Sequence, residues 1–449
     1  MEIIVVKVKT LVLALGAIFM GTAVQAAPVT NQQVTDLQNE VAQLKQLVTQ
    51  LANQQQQQAV QLQERAAPAP VVAPTIASSK PGWITLADGQ TQLKVYGSVR
   101  ADATYDFAGV NSATSIYNAT DKVPLNSTNA TKDSLNVSAA ASRVGVEMIR
   151  PTQYGDLNAK LEADFLGSNV TNGNGSFRVR HAYVALDRWL VGQTTSPFAN
   201  GDTSPEGVDL NGEVGSGTKR TVQVRYTQPI SDNQKVLVAL EGGDVENFTR
   251  TSQTTGGGRF PAVTARYDIK TADKKGLLQL HGLIHENRVS TTKSNTEEKI
   301  GWGVGIGGKY QITPEDALFA NYAYVKGDSK YILYTNPAYA VVAQGSDNYD
   351  LYESEYGTAL LGYGHKWNNQ WRSTLAAGAL WYKGDNKYAQ VNEIKSEYNK
   401  SLYNVILNTF YTPVKSIDLG AEYTYGQRKT FTDQKGDYSR LNLMARYNF

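Results

Sequence analysis

Ser439-Arg440-Leu441-Asn442-Leu443-Met444-Ala445-Arg446-Tyr447-Asn448-Phe449 closes the chain in strict alternation. Leu441, Leu443, Ala445, Tyr447 and Phe449 fall on one face, and Arg440, Asn442, Met444, Arg446 and Asn448 on the other. Side chains of a strand point alternately to opposite faces, so this ribbon is apolar on one side and polar on the other. It suits the wall of a transmembrane barrel, with lipid outside and water inside and with Tyr447 and Phe449 at interfacial height. A soluble edge strand would leave unpaired backbone beside exposed Leu441, Leu443 and Phe449, an aggregation hazard that a closed barrel removes.

Period-2 runs of the same kind recur upstream from Gln92. In the first, Leu93, Val95, Val99, Ala101, Ala103, Tyr105 and Phe107 oppose Lys94, Ser98, Arg100, Asp102, Thr104 and Asp106. Others span residues 157–165, 222–226, 263–269, 278–284, 302–310, 318–324 and 417–425. With the less regular runs they predict an all-β, 16-stranded antiparallel transmembrane β-barrel over 91–449. Short turns are expected at 150–155, 229–233, 367–370 and 413–416, and long polar loops near 107–133, 244–259, 328–350 and 383–400. That asymmetry is typical of outer-membrane barrels. A soluble propeller or sandwich would bury its second face, but here that face is charged in strand after strand, which a packed core does not tolerate.

The amino terminus has Lys7 and Lys9, an apolar run from Leu11 to Val24 and a small-residue site at Val24-Gln25-Ala26, the pattern of a secretory signal peptide over 1–26. No later segment offers the roughly 18 consecutive apolar residues of a spanning helix, and the mean hydropathy is −0.38. Without Lys7, Lys9 and Glu2 the chain keeps 41 basic and 40 acidic residues, a net charge of +1 that argues against a nucleic-acid partner. Cysteine is absent, which excludes disulfides, thiolate metal sites and cysteine nucleophiles.

Between Ala27 and Ala66 the period changes. Val34, Leu37, Val41, Leu44, Val48 and Leu51 recur at alternating spacings of three and four, with Leu47 beside the stripe. This is a coiled-coil seam with Val at a and Leu at d, continued by Gln55, Gln58 and Leu62, and it implies oligomerisation. Residues 67–90 open on Ala67-Pro68-Ala69-Pro70-Val71-Val72-Ala73-Pro74, an extended linker that separates coil from barrel.

The interval between Thr195 and Thr221 is long for a connection between strands. It carries Pro197, Phe198, Asp202, Glu206 and Asp209, and an inward-folded constriction loop is expected at about 196–218. Gly192-Gln193-Thr194-Thr195-Ser196-Pro197-Phe198, Arg178-Val179-Arg180-His181-Ala182-Tyr183-Val184, and Pro413 with Gly420-Ala421-Glu422-Tyr423-Thr424-Tyr425-Gly426 resemble the DcaP-like trimeric outer-membrane porins of Gram-negative bacteria. The heptads, the linker and terminal Phe449 fit as well. The resemblance implies a homotrimer of 16-stranded channels in outer-membrane lipid, with a periplasmic coiled coil, passing small anionic solutes such as dicarboxylates. Val at a with Leu at d would alone favour two strands, so the barrel is taken to set the number.

With apolar faces toward lipid, Arg100, Arg143, Arg225 and Arg266 face the lumen, joined by Arg178 and Arg180 if Phe177 and Val179 face out. Guanidinium groups stay charged and hold carboxylates bidentately, so these six are the candidate solute-binding residues, with acidic Asp202, Glu206 and Asp209 across the lumen. The competing arrangement pairs the arginines with Asp102, Glu147, Glu162 and Asp164. Gly303-Val304-Gly305-Ile306-Gly307-Gly308-Lys309 imitates a phosphate loop, but Tyr310 stands where Ser or Thr is needed and no helix follows. A strand with a bare lumenal face explains it better. His281 and His285 share a face, yet on a strand they stand about 13 Å apart, too far for one metal ion. With His181 and His365 they make no catalytic set, so neither an enzyme nor a cofactor is expected. A structural or adhesive barrel whose coil contacts the cell wall is the alternative; it gives no reason to pair an arginine ladder with one long loop.

Overall fold

A computed structural model describes residues 80–109, 117, 119–128, 130, 132–167, 175–242, 254–256, 258–291, 296–345 and 348–449. In the coil segment it describes only Ala42, Gln43, Gln46, Thr49, Gln50 and Asn53, which are helical and exposed. The expected signal peptide, the hydrophobic coil positions and the Pro/Ala run lie outside the described residues.

Sixteen strands form the wall: β1 Gln92–Ala108, β2 Arg143–Thr152, β3 Gly155–Asp164, β4 Arg178–Leu186, β5 Trp189–Thr195, β6 Arg220–Ser231, β7 Gln234–Glu241, β8 Ala262–Lys270, β9 Gly276–Thr291, β10 Thr296–Gln311, β11 Asp316–Lys326, β12 Glu355–Lys366, β13 Trp371–Tyr382, β14 Asn399–Val414, β15 Ile417–Thr430 and β16 Lys435–Asn448. Each pairs antiparallel with the next, and β16 returns to β1 through Arg446 opposite Arg100 and Leu443 opposite Ala103. Closure leaves no open sheet edge, as a membrane wall requires. Ile84–Thr85, inside the expected linker, already pair with Leu93 and Gln92, so folded structure begins ahead of β1.

Alternation sets the two faces as the sequence predicts. Val95, Val99, Val144, Leu161, Val222, Val224, Leu240, Ile284, Val304, Leu361, Leu375, Leu407, Leu443 and Tyr447 are exposed outward. Arg100, Asp102, Thr104 and Asp106 on β1, and Asn404 and Asn408 on β14, are buried on the other side. All four predicted turns join strand pairs, and all four predicted long loops are connections at the opposite end. The loop after β11 adds a hairpin of Tyr339–Ala343 with Tyr349–Glu353, and the loop after β13 adds helices α1 Lys387–Gln390 and α2 Asn392–Glu397. Tyr331, Ile332 and Tyr334 of the first loop and Tyr388 and Ile394 of the second share one buried cluster with Phe198, Leu380 and Leu402. These loops therefore fold over the barrel and pack against its inside.

Candidate functional site: a constricted lumen

The segment between Thr195 and Arg220 enters the barrel, and the wall has vacated space for it. His281 donates through Nδ1–H to the Pro197 carbonyl at 2.9 Å. Phe198 then lies over Gly303, and Thr203 over Gly307, where any Cβ would overlap the loop. The glycine run of β10 is thus the bare lumenal face predicted for it. Thr203 donates to Asn321 Oδ1 (2.6 Å) while Asn321 Nδ2 donates back to the Thr203 carbonyl (2.8 Å).

Further along, Pro205 rests on Gly362 and Glu206 meets Arg372 of β13 in a bidentate pair at 2.7 and 2.8 Å. Glu422 of β15 accepts from the backbone amides of Val208 (2.7 Å) and Asp209 (3.1 Å). Arg100 of β1 donates to the Val208 carbonyl at 2.7 Å. On the return the Val214 amide donates to Asn404 Oδ1 at 2.8 Å, with its carbonyl over Gly378. Asn200 clasps the loop to itself through Gly215 and Gly217. The loop consequently lines the half of the barrel running from β9 round to β1.

The other half carries the remaining predicted arginines, Arg143, Arg178, Arg180, Arg225 and Arg266. Arg143 on β2 forms an ion pair with Glu162 at 3.4 Å, and Arg180 on β4 donates to Glu162 (2.7 Å) and Asp164 (3.0 Å). Arg178 holds Asp164 bidentately at 2.9 and 2.7 Å. Phe177 and Val179 are exposed outward, as their assignment to the lipid side requires. Arg220 is in electrostatic reach of Arg143, Arg178 and Arg180, and Arg225 of Arg266. Among the described residues no carboxylate forms an ion pair with Arg220 or Arg225. Arg266 on β8 meets its own Asp268 (3.1 Å) and, where the loop passes β8 and β9, loop Asp202 at 3.2 Å.

Of the predicted residues, five arginines thus share one wall, and Asp202 alone of the three loop acids reaches it. Arg100 points inward but is 5% exposed, locked to Asp102 at 2.6 Å and to the loop backbone, so it serves as an anchor. Glu206 turns to Arg372 instead, and Asp209 is buried with its carboxylate capping Asn211. Glu147 pairs with Lys160 rather than with an arginine. Sequence parity missed Arg220, which shares the period of outward Val222 but begins β6 where the chain leaves the loop. It also passed over Arg372, Arg440 and Arg446, which are engaged by Glu206, Asp106 and Asp418. His181 bonds Thr194, His285 faces Asp328, and His365 bonds Asp316, so the histidines stand apart. No cluster of metal-ligating side chains occurs among the described residues.

A closed 16-stranded barrel with one long loop folded against a charged wall defines an outer-membrane channel of the porin class. A family profile described as DcaP outer membrane protein matches residues 20–449. The chain belongs to that family. It is 32% identical to the outer membrane channel DcaP of Acinetobacter baumannii, with a TM-score of 0.72 over 81% of this chain and 99% of that one. The fold is also similar to an anion-selective porin of Comamonas acidovorans (11% identity, TM-score 0.53, 80% and 100% covered). OmpT of Vibrio cholerae is comparable (11% identity, TM-score 0.51, 81% and 100% covered). A comparison with curated protein sequences finds no match.

Proposed function

We propose that this outer-membrane channel passes small hydrophilic anions, dicarboxylates among them, by passive diffusion. The carrying observation is the asymmetry of the lumen: Arg143, Arg178, Arg180, Arg220, Arg225 and Arg266 lie on the wall facing the inserted loop, and among the described residues only Glu162, Asp164, Asp202 and Asp268 pair with them. Excess fixed positive charge concentrates anions, and planar forks suit carboxylates. The pairings keep the wells shallow enough for exit, which conduction needs. The export signal at 1–26 would deliver the chain to the periplasm, and the coil at 27–66 would help assemble a homotrimer.

The test is ion current through the purified protein in a planar bilayer under a salt gradient. An anion-leaning reversal potential, shifted toward zero by Arg225→Ala with Arg220→Ala, is the expected result. A cation-leaning potential in the unaltered protein would refute the reading.

A further inference from the structure

Glu162 of β3 is the most heavily coordinated carboxylate on the open wall. Its Oε1 lies 2.7 Å from Arg180 Nε, 3.4 Å from Arg143 Nε and 4.0 Å from His181 Nε2. Its Oε2 accepts from the Tyr96 hydroxyl at 2.8 Å and lies 3.9 Å from Lys160 Nζ. Tyr96 is itself laid across Gly145, where a side chain would collide with its ring, so the hydroxyl is fixed in place. Two residues on, Asp164 takes the bidentate fork of Arg178 and a third bond from Arg180. Both carboxylates are buried, at 4% and 1% exposure, whereas the Arg178 and Arg143 side chains remain 39% and 31% exposed. Each resident carboxylate therefore takes up guanidinium donors from behind, while the same arginines still reach the lumen where a passing solute's carboxylate would meet them.

Three guanidinium groups, Arg143, Arg178 and Arg180, share two such anions, while Lys160 at their edge is held mainly by Glu147 at 3.0 Å. Stripped of Glu162 and Asp164, the same arc would present a deep well with two forks and no competitor, and a dicarboxylate would enter readily and leave slowly. Charge-assisted bidentate bonds are among the strongest that a side chain makes.

We infer that Glu162 and Asp164 are tethered counter-ions that compete with the solute for the arginine arc and thereby set how briefly an anion stays. This deepens the anion-channel reading and rests on it. The two carboxylates position and weaken the arginines without being the attracting groups.

The test is flicker block by succinate of single channels in a planar bilayer, resolved into entry rate and residence time, for the unaltered protein, Glu162→Gln and Asp164→Asn. Each variant is expected to lengthen residence about tenfold, equivalent to ~1.4 kcal/mol, with a smaller change in entry rate. Glu162→Asp is expected to restore short residence. Heat-modifiable mobility on a gel reports whether each variant has folded, and either folded variant suffices. Residence unchanged or shortened in a folded variant would overturn the inference while leaving the channel reading intact. Failure of both variants to fold would overturn it too, by making the carboxylates supports of the barrel. Absence of block in the unaltered protein would instead refute the anion-channel reading beneath it.

Discussion

Arg100 and Arg225 are equivalent in the sequence, two inward arginines on alternating strands, and the structure separates them. Arg100 is held by Asp102 beneath the loop, so Arg100→Ala would leave a buried carboxylate without its partner, at a cost of about 3–5 kcal/mol. Unfolding in urea should show that loss, while Arg225→Ala should leave stability nearly unchanged and lower anion selectivity. Glu213 in the constriction loop sets a pH dependence. It is 2% exposed, with Oε1 unbonded among the described residues, and burial pushes its carboxyl from the ordinary 4.5 up to about 8, with Glu422 and Asp209 adding repulsion. Tyr334, whose hydroxyl bonds Gly212, faces the same place from the neighbouring loop. Because the raised value favours the neutral acid in the folded loop, attachment is strongest below pH 4.5 and weakens as pH rises to about 8. Protease nicking between 196 and 219 should increase over that range and become flat in Glu213→Gln; equal pH dependence in the variant would refute it.

The constriction loop and the wall it meets form a matched pair of elements. Gly303, Gly307, Gly362 and Gly378 are placed under Phe198, Thr203, Pro205 and Val214, so the loop is seated by shape as well as by hydrogen bonds. Gly303→Val and Gly307→Val should push it into the lumen and change single-channel conductance without loss of the barrel; unchanged conductance would show that the seat is unimportant. On the outer face of β16, Leu443→Arg puts a charge on the lipid side and should cost about 2–4 kcal/mol at mid-bilayer, read by folding into lipid vesicles. The barrel itself was legible in the sequence because lipid and water impose period 2 on every strand, and the bare face of β10 was legible because its glycines alternate. The partners of the loop were not. Whether Glu206 meets the arginine arc or Arg372 depends on which strands stand opposite residue 206, a matter of ring closure that local pattern does not carry. Arg220 was hidden because parity weakens where a strand gives way to a loop.

At the scale of the whole molecule, the wall falls into two halves. One half, from β9 round to β1, holds the loop; the other, from β2 to β8, holds the basic arc. If coil residues 27–66 serve assembly, as proposed, their deletion should leave a folded, conducting barrel that forms trimers less completely, as cross-linking would report. The central claim is that the two halves together make an anion pathway. The most direct measurement is the reversal potential and succinate block of the purified protein in a planar bilayer under a salt gradient. An anion pathway predicts an anion-leaning potential and reversible flicker block that fades when Arg220 and Arg225 are replaced. A closed barrel without current, or a cation-leaning one indifferent to succinate, would contradict it.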